Sequence, residues 1–479
     1  MSSFFKRIAL GGASALSLLV ASSAAFSQAP TLDHTILVVG TTEAGIYEIA
    51  TGKELARIPA PGGSLDTMAL ANGHALFNHT AAHNVIAVDL RTGKEINRIA
   101  SSSLGAKRPV HAYLTPAFGG RQFYVALNDG VVADTPVGEV PKDSSLTLID
   151  VIPSSTDYLK PVGEVRLGRG HHKLAFSNTR ARMVASNIAD CNDVLSVYDF
   201  SSPADIKLVK TFSAKDLGYD GSSALKTCDV TGKTGVSLSP HGVGTSAATG
   251  EAYHFITGTG QVALIDIDSD APSLKLVQTA GIGGSTAKDM PGGRYIVVPQ
   301  RTPRELQDRA GGVLCQVGQI AVIDAVKRQL VAQIPLLYGD GACSDSLVGK
   351  PGAAATPAYV GFTKDGKRML VSLGTLGGAA NQPLAVDLTL VFDMSDPTKP
   401  KQLGSIKVEA GKAADVVMAS GGAIAFVPNS AANSVSVIDT ATMQVIRTIK
   451  TVDGAMRISS FSPSSGPSKP VGPASPATN

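Results

Sequence analysis

The sequence predicts an all-β fold, an eight-bladed β-propeller closed by a C-terminal strand that completes blade 1. Three observations carry this. One phrase, an alternating strand usually ending in Asp, a short turn and a second alternating strand, recurs eight times along the 479 residues. The copies follow one another at roughly 40 to 60 residues, the scale of a four-stranded blade. The composition suits strands and tight turns: 50 glycines, no tryptophan and 17% charged residues.

At the N-terminus, Lys6 and Arg7 precede the uncharged run Ile8–Val20 and then small residues. This is the layout of a secretory signal peptide, and the run is too short to span a bilayer as a helix. Residues 1–27 are read as the leader, with cleavage after Ser27 and Ala25 at the −3 position; cleavage after Ala25 is the alternative. No cysteine lies near this boundary, which argues against a lipoprotein, and no later segment reads as a membrane helix. The mature protein is therefore expected to be soluble and periplasmic or secreted. Losing Lys6 and Arg7 takes the net charge from +3 to about +1, which makes no electrostatic case for nucleic acid.

The copies run in order as IYEIATGKELARI (46–58), IAVDLRTGKEINRI (86–99), LTLID (146–150) followed by GEVRL, and LSVYDFSSPADIKLVKTF (195–212). Then come VALIDIDSDAPSLKLVQT (262–279), IAVIDAVKRQLVAQI (320–334), LTLVFDMSDPTKPKQLGSI (388–406) and VSVID (435–439). The last lies within VPNSAANSVSVIDTATMQVIRTI, which resembles the YVTN-type β-propeller repeat. That resemblance covers nearly all of the mature chain and implies the fold; it implies little about function, since such repeats serve binding modules, surface proteins and enzymes alike. After the last blade the chain departs from the repeat pattern with DGAMRISSFSP. The first copy, from Thr35, has only three strands, so residues 455–462 are expected to supply its missing innermost strand and close the ring. The propeller is assigned to 28–463, and the Pro/Ser-rich 464–479 to a disordered tail.

With strands named a to d from channel to rim, antiparallel alternation puts b–c loops and d–a connectors on one face. Five enlarged segments fall there: the b–c loops of blades 3, 6 and 7, and the connectors after blades 4 and 6. Loops on a rigid scaffold commonly carry function. All four cysteines lie on the same face. Cys191 and Cys315 sit in b–c loops, and Cys228 and Cys343 in the connectors that follow, so the pairing Cys191–Cys228 and Cys315–Cys343 is expected in an oxidising compartment. No CxxC spacing points to a thiolate metal site, and the absence of CxxCH removes covalent c-type haem.

The nine histidines give the functional lead. Aligning blades on strand b places His171 (in RGHHKLAFS) level with His241 (in SPHGVGTS), and His111 (in RPVHAYLTP) within about one residue of that level. Three imidazoles from consecutive strands at the channel mouth are what Zn²⁺ or Cu²⁺ requires, so His111, His171 and His241 are the expected metal ligands. His172, of opposite strand parity, and Asp66, Asp415, His79 and His83 are expected nearby as further ligands or orienting groups. Arg457, Lys288 and Tyr359 stand at comparable heights and could meet an anionic ligand. His34, His74 and His254 are read as structural.

The leading expectation is a binding propeller that holds a transition metal or a metal-containing ligand at its channel mouth. The fold is similar to periplasmic zinc-chaperone propellers, although no His-rich capture segment is present. A cofactor-dependent oxidoreductase is the second reading: eight-bladed propellers resembling the d1-haem domain of nitrite reductase hold a cofactor over the same mouth, and SPHG resembles a fragment of copper-containing nitrous oxide reductase. The third is a cofactor-free protein-interaction scaffold. No GxSxG or phosphate loop in a fitting context supports hydrolase chemistry.

Overall fold

The computed structural model describes residues 30 and 32–468, apart from 63–65, 131–143, 169, 189, 220–237, 239, 282–285, 308–313, 337–354, 376–385, 412–414 and 420. Eight antiparallel sheets form a ring, and in blades 2 to 8 four strands follow in chain order. In blade 1, Thr35–Val39, Glu43–Glu48 and Glu54–Pro59 are joined by Arg457–Ser462. That last strand runs antiparallel to the first, with Thr35 opposite Phe461 and Val39 opposite Arg457. The expected closure by the C-terminal strand is therefore present.

The closure extends further than the sequence suggested. Gly466–Pro467 folds back on Phe461 and Ser462, and the Ser468 amide bonds the Ser460 carbonyl. The Ser462 hydroxyl accepts the amides of Ser464 and Ser465, and Gly466 takes a positive φ of 78°. What reads as low complexity at 464–468 is a hydroxyl-capped turn. Residues 469–479 of the expected tail, and the leader, lie outside the described residues.

The repeated Asp has a local reason. Its carboxylate ends the third strand of a blade and caps the following turn by accepting a backbone amide two or three residues on. Asp89 takes Arg91 N at 2.8 Å, Asp150 takes Ile152 N at 2.9 Å, and Asp439 takes Ala441 N at 2.8 Å. Such Asx turns fix the hairpin between the outer two strands. Middle strands such as Phe123–Asn128 and Ile424–Asn429 are buried along their whole length, because each blade packs on both faces. Eight apolar clusters, one per blade junction, form this core among the described residues. Outer strands such as Ser273–Gln278 alternate exposed and covered residues.

The enlarged b–c segment of blade 6 is partly strand. Tyr295–Gln307 and Leu314–Asp324 continue as a ribbon past a bulge, with Arg301 opposite Gly318 and Leu306 opposite Cys315. Most of the other enlarged segments, with Cys228 and Cys343, lie outside the described residues. Among those described, no cysteine is free, and no helix is long and apolar enough to cross a membrane.

Candidate functional site

The innermost strands of blades 3, 4 and 5 each start with a bulge, where two residues oppose one. Pro109 faces Asn128 while His111 faces Leu127. His171 faces Asn187 while Lys173 faces Ser186. Pro240 faces Ile256 while Val243 faces His254. Each bulge inserts a residue and re-aims the side chains beside it. His172 thereby corresponds to His241, and His171 to Pro109 and Pro240. In blade 5 the bulge also needs Gly242: a Cβ there would lie 2.5 Å from the backbone of Thr286.

This corrects the expected triad. The structure brings together His111, His172 and His241. The His111 and His172 rings meet edge to face at 4.6 Å between centroids, and His172 meets His241 at 4.7 Å. His171 points into the blade wall instead. It is fully buried, with Nε2 3.3 Å from Asp193 Oδ2 and Nδ1 3.5 Å from the Asn187 amide nitrogen. Alignment on strand b assumed a constant register, and a one-residue slip exchanges the two faces of a strand.

Each of the two central imidazoles has a carboxylate behind it. His111 Nδ1 lies 2.9 Å from Asp66 Oδ2, and His172 Nδ1 lies 2.9 Å from Asp129 Oδ2. The opposite nitrogens, the two Nε2 atoms, face one another at 3.4 Å. Asp129 follows strand b of blade 3, and its other oxygen is buried without a hydrogen-bond partner. His111, Asp129 and His172 each offer a donor atom within 4.8 Å of the others. Asp129 was not anticipated; its only sequence signal is an acidic residue directly after a strand b whose partner strand a carries a histidine.

Electrostatics favours a neutral His111 ring. Burial, with the Lys173 ammonium nearby, lowers the pKa of His111 to about 4, against the pull of Asp66. Burial would raise Asp66, but its bond to His111 and the charges of Arg457 and Lys173 prevail and bring it to about 2. Asp66 also accepts the Ala112 amide and Arg457 Nε. Lys173 Nζ lies 3.1 Å from His111 Nδ1, and burial brings its pKa down to about 8. With the His111 proton on Nδ1 towards Asp66, Nε2 keeps its lone pair.

The remaining arc of the mouth is cationic. A cavity of about 70 Å³ is lined by Asp66, Lys173, His241, Thr286, Lys288, Tyr359 and Arg457, among others. The Arg457 guanidinium stacks over the Tyr359 ring at 4.8 Å and donates to its hydroxyl. Burial raises the pKa of Asp415, against the opposing fields of Arg457 and Lys288.

Other expected contacts hold backbone instead. His79 Nε2 bonds the Pro61 carbonyl at 3.0 Å. His83 Nδ1 bonds the Thr80 carbonyl and lies 3.2 Å from the Arg108 amide. His74 contacts Tyr158, and His34 packs edge-on against Phe426.

No protein-family profile matches the sequence, and no curated protein is significantly similar to it. Solved structures are similar at the level of fold. The dihydro-haem d1 dehydrogenase NirN aligns with a TM-score of 0.54 and 13% identity, covering 93% of this chain and 76% of that one. The periplasmic gluconolactonase PpgL of Pseudomonas aeruginosa aligns with a TM-score of 0.50 and 14% identity, covering 89% and 98%. The chain is thus a β-propeller, and at these identities the likeness extends to the fold alone.

Proposed function

We propose that this is an exported binding propeller that holds one divalent transition metal ion, zinc or copper, at its channel mouth. His111 Nε2 and His172 Nε2 are the first two ligands, with His241 adjoining them and Asp66 and Asp129 orienting the rings. The observation that carries this is the 3.4 Å separation of the two Nε2 atoms, each on a ring whose Nδ1 meets a carboxylate. Two donors at about 2.0–2.1 Å from a tetrahedral zinc stand about 3.3–3.4 Å apart. A carboxylate on the far nitrogen fixes the tautomer and ring orientation of a metal-bound histidine. Export is supported by the leader-like first 27 residues and by the periplasmic propeller among the similar folds. The repeat phrase supports a YVTN-type propeller. The d1-haem reading has only fold likeness behind it.

The test is metal content after loading with Zn²⁺, and separately Cu²⁺, followed by gel filtration. One ion per chain is expected for the wild type and none for the His111→Ala, His172→Ala double variant. Asp129→Asn should weaken binding by about 10- to 100-fold. Full stoichiometry in the double variant overturns the proposal, and absence of metal from the wild type leaves the scaffold reading in its place. A visible absorption spectrum separates the candidates: strong for haem, weak for Cu²⁺, none for Zn²⁺.

The pairing Cys191–Cys228 and Cys315–Cys343 is proposed with it, on the repeated placement of the four residues. Peptide mapping without reductant should recover these two crosslinked pairs; crossed pairs or free thiols would refute the pairing.

A further inference from the structure

The cavity beside the imidazoles has a charge pattern that a metal site alone does not explain. Three cationic side chains, Lys173, Lys288 and Arg457, line it together with a single carboxylate, Asp66. That carboxylate is already engaged: Oδ2 meets His111 Nδ1 and the Ala112 amide, and Oδ1 accepts from Arg457 Nε. Asp415 lies within the electrostatic reach of Arg457 and Lys288, and Asp129 within that of Lys173. Closely grouped cations need neighbouring anions, and these carboxylates supply that compensation only while no further positive charge is added. A divalent ion on His111 and His172 would add two more positive charges, with Lys173 Nζ already 3.1 Å from the His111 ring.

We infer that the cavity is an oxyanion subsite, where a small carboxylate or phosphate bound by Arg457, Lys173 and Lys288 sits against the metal-bearing imidazoles. The inference rests on the metal reading for its position and on the cation arc for its chemistry. The cavity, about 70 Å³, takes an anion of a few heavy atoms. Arg457 is pre-oriented, since its guanidinium is stacked on Tyr359 and anchored to Asp66. A planar guanidinium held in this way can direct donors at an oxyanion. Thr286 donates its hydroxyl proton to the Ala358 carbonyl, which leaves its oxygen an acceptor. That acceptor suits the hydroxyl of a hydroxy acid.

The experiment is calorimetric titration of the full-length mature protein with acetate, lactate and inorganic phosphate, each with and without Zn²⁺. Chloride at equal ionic strength is the control. Anion binding in the wild type is expected to tighten at least about fivefold when Zn²⁺ is present, and Zn²⁺ binding to tighten by the same factor, as reciprocity of coupling demands. Lys288→Met and, separately, Arg457→Gln should each weaken the anion by about tenfold while keeping one Zn²⁺ per chain. Arg457 lies in the closing strand, so Lys288→Met tests the subsite if the Arg457 variant does not fold. Acetate or lactate winning over phosphate identifies a carboxylate site, and the reverse a phosphate site. Zn²⁺ binding with no anion effect beyond chloride overturns this inference and leaves the metal reading intact. Anion binding that Lys288→Met weakens, in a protein that takes no Zn²⁺, overturns the metal reading and the coupling but leaves the cationic subsite.

Discussion

His171 and His172 are neighbours in the chain with opposite surroundings. His172 stands between His111 and His241 at the channel mouth, with Asp129 on its Nδ1. His171 is sealed in the wall of blade 4 against Asp193. His254, in the wall of blade 5, is also fully buried, and neither of its ring nitrogens has a hydrogen-bond partner. The mouth histidines converge and are oriented by carboxylates. The wall histidines are isolated from one another and surrounded by packed strands. A histidine count therefore says little about a site here. What separates the two groups is the bulge at the head of strand a, after which His111, His172 and His241 lie at the mouth while His171, at its start, lies in the wall.

The largest expected difference between the two groups is in metal content. His171→Ala should keep the full complement of bound Zn²⁺ but lower stability. A fully buried side chain is removed and the facing Asp193 Oδ2 loses its imidazole neighbour, a change costing about 2–4 kcal/mol. His172→Ala should do the reverse, losing most metal affinity with a smaller change in melting temperature, because its ring is partly exposed. Parallel metal titrations and thermal melts of the two variants decide it. If His171→Ala loses the metal while His172→Ala retains it, the distinction between mouth and wall is wrong.

Much of the fold was legible because it rests on short-range chemistry. The Asp that ends a third strand is visible in the sequence and acts locally, accepting a turn amide, so the repeats could be counted. The three-stranded first copy and the segment 455–462 after the last one were enough to foresee the closure. The site was only half legible. His111, His241, Asp66 and Arg457 were placed at the mouth by strand level alone. His171 was exchanged for His172 because a bulge adds a residue without a sequence mark: no glycine or proline falls at His171–Lys173. Asp129 was missed because it follows strand b of blade 3 and reaches a histidine of blade 4. That contact depends on how neighbouring blades pack, which no local pattern records. The hairpin at 464–468 was missed because serine and glycine read as linker, although here the serine hydroxyls cap the turn.

His254 sharpens the comparison further, because its effect should appear only in acid. Burial alone lowers its pKa from 6.5 to about 3, with no charged neighbour to offset it. The sign follows from linkage. Between pH 6.5 and 3 the unfolded chain carries the proton on this ring and the folded chain does not, so stability rises with pH across that window. The contribution is complete above pH 6.5 and is lost as pH falls towards 3, at about 1.4 kcal/mol per pH unit. By pH 4.5 the loss from this residue alone should be of the order of 2–3 kcal/mol. His254→Leu places an apolar side chain of similar size where neither nitrogen was hydrogen-bonded, so at pH 7 its stability should match or exceed that of the wild type. Denaturant melts of both proteins at pH 7, 6, 5.5, 5 and 4.5 should give curves that separate progressively below pH 6.5, with the variant the more stable in acid. Other groups that titrate in this range, including the buried His34 and His171, are common to both proteins and cancel in the difference. Two curves that stay parallel from pH 7 to 4.5 would show that the His254 ring takes up its proton in the folded wall as readily as in water, and that burial does not set the wall histidines apart.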